Sequence, residues 1–241
     1  MAGKVSRRTV LLGAGAAGLA STAVGGFALG TLAAVPQQPQ LASAAIPFYG
    51  PHQPGIATPP PASLSFVALD LTSQSSDDLR SLLRVWTAAI SSMMAGEPVT
   101  TRPVRGGDPA DTSEATGLGP SRLTVTVGFG PRLFAGGLAS RRPPALIDLP
   151  AFPGDALEPA RSDGDLCAQV CADDPQVAYH AVRTLTRLAA GVASPRWVQA
   201  GFRQPPGGAM NDATPRNLLG FKDGTDNLKA SSETSMARHV W

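Results

Sequence analysis

Apolar positions recur along this chain in three patterns, and each predicts a different element. SLSFVALDL, residues 63–71, is a nearly continuous apolar run and reads as a buried strand. Residues 77–95 place Leu79, Leu82, Leu83, Trp86, Ala89, Ile90 and Met93 at helical spacing. Ser76 is the expected N-cap, acids fill the first turn, and Gly96 follows the last turn. LTVTVGF, residues 123–129, alternates Leu123, Val125, Val127 and Phe129 with Thr124, Thr126 and Gly128, the period of a half-buried strand. DLCAQVCA (165–172) predicts a third strand. A second helix then starts at Pro175 with Asp174 as N-cap and closes at Gly191. It turns Val177, Ala178, Ala181, Val182, Leu185, Leu188 and Ala189 inward. RWVQAGF (196–202) predicts a fourth strand.

The order β-α-β-β-α-β is the split-βαβ, ferredoxin-like arrangement. It predicts an α+β fold: one antiparallel four-stranded sheet with both helices on one face, in a domain spanning 63–204. Residues 45–62 are expected to be loop, and 97–122 a long polar loop rich in Gly and Pro. Residues 205–241 fall outside the completed unit.

Composition adjusts this picture in two places. Gly (26) and Pro (23) are abundant, which fits many irregular connections. The net charge of +2 is misleading, because Lys4, Arg7 and Arg8 precede the first acid. Without them no basic stripe remains, and nucleic acid is excluded as a partner.

Those same residues open a candidate leader. Arg7-Arg8 after Ser6 precede an uncharged stretch from Val10 to Val35, then Ala42-Ser43-Ala44, a small-x-small cleavage pattern. Residues 1–44 are expected to be a twin-arginine signal peptide, with a retained membrane anchor as the alternative. Gly13-x-Gly15-x-x-Gly18 matches a dinucleotide fingerprint but follows no strand, so it carries no cofactor expectation. Cys167 and Cys171 lie four apart on a strand, about 13 Å, too far to bridge. They are expected to be small core residues and not metal ligands.

Four stretches resemble the dye-decolourising haem peroxidases, and more closely their exported deferrochelatase/peroxidase branch: the twin-arginine leader, IPFYGPHQPGI (46–56), GDLCAQVCADDPQVA (164–178) and NLLGFKDGTDN (217–227). The last holds a GxxDG signature as Gly220-Phe221-Lys222-Asp223-Gly224. The resemblance implies two ferredoxin-like domains with haem b between them, of which this chain would carry the first and the start of the second. It implies peroxide reduction coupled to oxidation of bulky organic reductants. Asp223 would be the distal acid/base, and Gly224, Thr225 and Asp226 would line the haem. It further implies the twin-arginine export machinery and iron-uptake partners, a periplasmic, cell-surface or extracellular location, and leaves a homo-oligomer open. The alternatives are a haem-handling deferrochelatase, or an inactive fragment.

Peroxide heterolysis needs one group that accepts a proton and returns it, and a carboxylate can do this. Glycines on either side let backbone approach a flat macrocycle and turn tightly. Lys222 could meet a haem propionate or be solvated, and Asn227 could tie the loop to backbone. No axial ligand is expected among the three histidines, so a proximal His would lie beyond Trp241. His180 falls outside the apolar face of its helix, in line with Thr184 and Arg187, and is expected to be solvated. His52 is read either as a lining residue of the haem approach or as structural, and His239 as frayed.

Overall fold

The computed structural model describes residues 44–107, 111–203, 217–222, 224 and 226–241. The leader reading falls on residues outside these. Strands β1 (Ser63–Leu71), β2 (Thr124–Phe129), β3 (Leu166–Ala172) and β4 (Ala193–Phe202) form one sheet in the order β2-β3-β1-β4. Every neighbouring pair is antiparallel. With helices α1 (Ser76–Ala95) and α2 (Pro175–Leu188) in the expected places, this is the predicted ferredoxin-like topology.

Local chemistry explains the helix ends. Ser75, one residue before the expected cap, has extended backbone, and its hydroxyl accepts from Asp78 N at 3.3 Å. Gly96 closes α1 in the left-handed region, with φ 75°. Asp174 caps α2 as predicted, its carboxylate accepting from Gln176 N and Val177 N. A third helix, α3 (Glu233–His239), was not anticipated. Its apolar residues are Met236, which is buried, and Ala237, too few for a periodic signal.

The core lies between the helices and one face of the sheet. Val67 and Leu69 of β1, Val125 of β2, and Leu166, Ala168 and Val170 of β3 meet Leu82, Trp86 and Met93 of α1 and Ala181 and Leu185 of α2. Trp86 is 1% exposed, and its indole N–H donates to Leu185 O at 2.9 Å, so the largest core side chain is also polar-satisfied.

Two expectations about faces are corrected. Phe129 is 45% exposed, because β2 ends there and no helix covers it. Cys167 and Cys171 are free thiols but not core residues. Strand alternation puts Leu166, Ala168, Val170 and Ala172 inward and turns both cysteines, half-buried, to the opposite face. There Cys167 sits across from Gly128, where a β-carbon would come within 2.5 Å of its Sγ.

Substituting Trp86 by Phe keeps much of the apolar volume but leaves Leu185 O without its donor. The variant is expected to lose about 2 kcal/mol, read as a lower urea midpoint at unchanged m-value.

Candidate functional site

The GFKDGTDN loop begins from an Asn-centred turn. Asn217 Oδ1 accepts from the backbone N–H of Leu219 at 3.0 Å and of Phe221 at 3.1 Å. Asn217 N donates to Phe221 O at 2.9 Å, and Gly220 N to Asn217 O at 2.9 Å. Gly220 takes φ +84° and Gly224 φ +77°, the left-handed values expected of glycines here. Asp223 and Thr225 lie outside the described residues. Gly224 and Asp226 are exposed, as is Lys222. Asn227 behaves as the sequence suggests, its side chain accepting from Leu228 N at 2.8 Å. Asn217 was missed, although an Asn three residues before a glycine is turn chemistry.

The turn displays apolar side chains to solvent. Leu218, Leu219 and Phe221 are 78%, 81% and 68% exposed, and no atom beyond the adjoining residues lies within 4 Å of where a Gly220 β-carbon would be. This open apolar turn stands apart from the core.

A second feature is the open sheet face. Phe66 and Trp197 stack with centroids 5.2 Å apart, and Trp197 Nε1 donates to Asp163 O at 3.0 Å. With Ala68, Gly128, Leu166 and Cys167 they line a groove of about 480 Å³.

His180 is the main correction among the site candidates. It is 6% exposed, not solvated, because Asp111 and Glu114 of the loop before β2 lie against it. Its Nδ1 lies 2.9 Å from Glu114 Oε2 and its Nε2 3.8 Å from Asp111 Oδ1. Arg183 Nε reaches Glu114 Oε1 at 2.8 Å, and the Gln176 amide donates to Glu114 O. Partial burial pushes the Glu114 carboxyl up. Hydrogen bonds from the Thr112 hydroxyl, His180 and its own backbone outweigh that and bring it down to about 2. His180 and Asp111 also border a cavity of about 380 Å³ with Met93, Leu123 and Val177. Helical periodicity could not reveal this, because the partners come from a loop some 65 residues away.

The sequence model described as "Dyp-type peroxidase, N-terminal" matches residues 53–203, more than half of the chain. The chain belongs to the Dyp-type peroxidase family. Among curated relatives, "Deferrochelatase" of Escherichia coli (strain UTI89 / UPEC) is 34% identical over 98% of this chain and 57% of its own length. The same name is carried by a relative in Shigella sonnei at the same identity and coverage. A DyP-type peroxidase of Streptomyces coelicolor, solved by crystallography, is 42% identical with a TM-score of 0.73, covering 83% of this chain and 52% of that one. The DyP-type peroxidase of Cellulomonas bogoriensis is 47% identical with a TM-score of 0.66, over 78% and 50%. The chain therefore spans about half the length of the relatives it matches.

Dyp-type peroxidase relatives make haem the group to test against these residues. The open turn with its exposed Leu218, Leu219 and Phe221 fits one side of a flat apolar macrocycle. Of the three histidines, His180 is held by Glu114, His52 is stacked on Trp241, and His239 is exposed on α3. The fit is to one face only.

Glu114→Gln tests the clamp over α2. The carboxylate's contribution is present above its ordinary value of 4.5 and is lost as pH falls through about 2. The variant is expected to be about 1–3 kcal/mol less stable at neutral pH. That gap should narrow between those two pH values in acid-denaturation curves.

Proposed function

We propose that this chain carries the distal half of a haem peroxidase site, with Asp223 as its acid/base. What supports the reading is an exposed, glycine-bracketed loop displaying apolar side chains in a member of the Dyp-type peroxidase family. A solved relative from Streptomyces lividans, 42% identical with a TM-score of 0.73, is named as a ferric form, which supports an iron cofactor here. Haem b, when bound, supplies the iron that takes up the oxidising equivalents of peroxide. Asp223 takes a proton from one peroxide oxygen and returns it to the other, so that water leaves. Gly224, Thr225 and Asp226 would line the macrocycle.

The remaining assignments follow the same reading. Residues 1–44 would direct export by the twin-arginine route to the periplasm, cell surface or exterior. Residues 45–62 would be a connecting loop, 63–204 the first ferredoxin-like domain, and 205–241 the distal loop and the start of a second domain. Bulky organic reductants would be the electron donors.

The shared name "Deferrochelatase" among curated relatives favours a second reading, release of iron from haem for iron acquisition. Recovery of intact porphyrin with free iron, without added peroxide, would separate it from peroxidase turnover.

Asp223→Ala, in haem-loaded protein, is expected to keep the Soret band. Its kcat/KM for peroxide is expected to fall about 10²–10⁴-fold. Unchanged kcat/KM would remove Asp223 from the mechanism.

A further inference from the structure

Two segments that stand far apart in the sequence meet in the fold. The imidazole of His52, in HQPGI, stacks on the indole of Trp241 with ring centres 4.0 Å apart and planes inclined by 8°. The 52–59 segment and α3 form the walls of a cleft of about 610 Å³, bordered by Pro54, Pro59, Glu233 and Met236. The ring stack is a face-to-face contact between these walls.

The two walls are held very differently. On the HQPGI side, Gly55 lies against β2, where a β-carbon would sit 3.3 Å from Thr126 Oγ1 and 3.4 Å from Thr124 Cβ. Its φ of +95° is a glycine conformation, and its N–H donates to Thr58 Oγ1 at 3.0 Å. Arg122 N donates to Ala44 O at 2.9 Å, the Arg122 guanidinium binds Pro59 O, and Ala62 N reaches Asp173 Oδ1 at 3.3 Å. The 44–62 segment is thereby fastened to β2 and β3. On the other side, every described residue from Asn217 to Ser231 is exposed. The described residues of this stretch add nothing to the core. One end is α3, where Met236 is 7% exposed and Trp241 lies on His52.

We propose that His52 is a positioning residue for the GFKDGTDN loop: its ring seats Trp241 and α3 on the fastened HQPGI segment, and α3 holds the loop's C-terminal end. The proposal deepens the peroxidase reading, on which the loop's importance rests. His52 acts through Trp241 and needs no contact with the reacting atoms. The ring face does the work, so an aromatic substitute should serve where an aliphatic one fails.

Hydrogen–deuterium exchange on the 241-residue chain tests this with wild type, His52→Ala and His52→Phe, using α2 as internal reference. His52→Ala is expected to speed exchange at 233–241 and at 217–222 about threefold to tenfold, while α2 is unchanged. His52→Phe is expected to restore the wild-type rate within about twofold, the error expected of a retained stack. Equal exchange in wild type and His52→Ala overturns the proposal, as does free-peptide exchange at 233–241 in the wild type. Exchange requires neither haem nor turnover, so this result stands whether or not Asp223→Ala loses activity. Loss at Asp223 with unaltered exchange in His52→Ala would retain the peroxidase reading and discard the positioning role.

Discussion

The guanidinium of Arg122 is the point at which three distant parts of this protein are joined. It is 7% exposed, pairs with Asp173 at the end of β3 at 3.4 Å, and donates to Pro59 O in the N-terminal segment. Its backbone is also committed: Ser121 and Arg122 both adopt positive φ, 46° and 51°, in the left-handed region unfavourable to side chains. Such strain persists only where neighbours over-determine it. Here Asp173 N donates to Ser121 O at 2.8 Å and Arg122 N to Ala44 O at 2.9 Å. Take the Arg122 side chain away and the half-buried Asp173 loses its cation, while the 44–62 segment loses the tie at Pro59 O.

The two faces of the sheet have different fates because of what the loops do. On the helix side, Trp86 and the α2 apolar stripe seal a core, and Glu114 of the loop before β2 closes over α2 through His180 and Arg183. On the other side, the cover is partial: HQPGI crosses β2 at Gly55, and the groove around Phe66 and Trp197 is left open. The GFKDGTDN loop belongs to neither layer. Residues that carry reactive chemistry are commonly placed on loops supported by a rigid scaffold, since the core's packing demands would otherwise dictate their identity.

The fold was legible because its signals are local. Continuous apolar spacing in β1, helical spacing in α1 and α2, and the Asp174-Pro175 cap each arise within one element, and the order of elements then dictates the sheet. What remained hidden depends on long-range contacts. His180 looked solvated because its helix alone places it off the apolar stripe, and only a non-local loop buries it. Cys167 and Cys171 looked like core residues because an apolar run does not say which face is inward when both faces are partly covered. Of the loop itself, the glycine turns and the Asn227 contact were readable, whereas Asn217's place at its centre, and the partner awaiting His52, required the fold.

The sheet geometry around the two cysteines has a chemical outcome of its own. Each is half-buried on its strand, and burial pushes both thiols up from their ordinary range, so they remain protonated. The thiolate is the form that oxidants attack. Both cysteine thiols are thereby held away from the form that reacts fastest. The pleat that took these residues out of the core also left them chemically quiet.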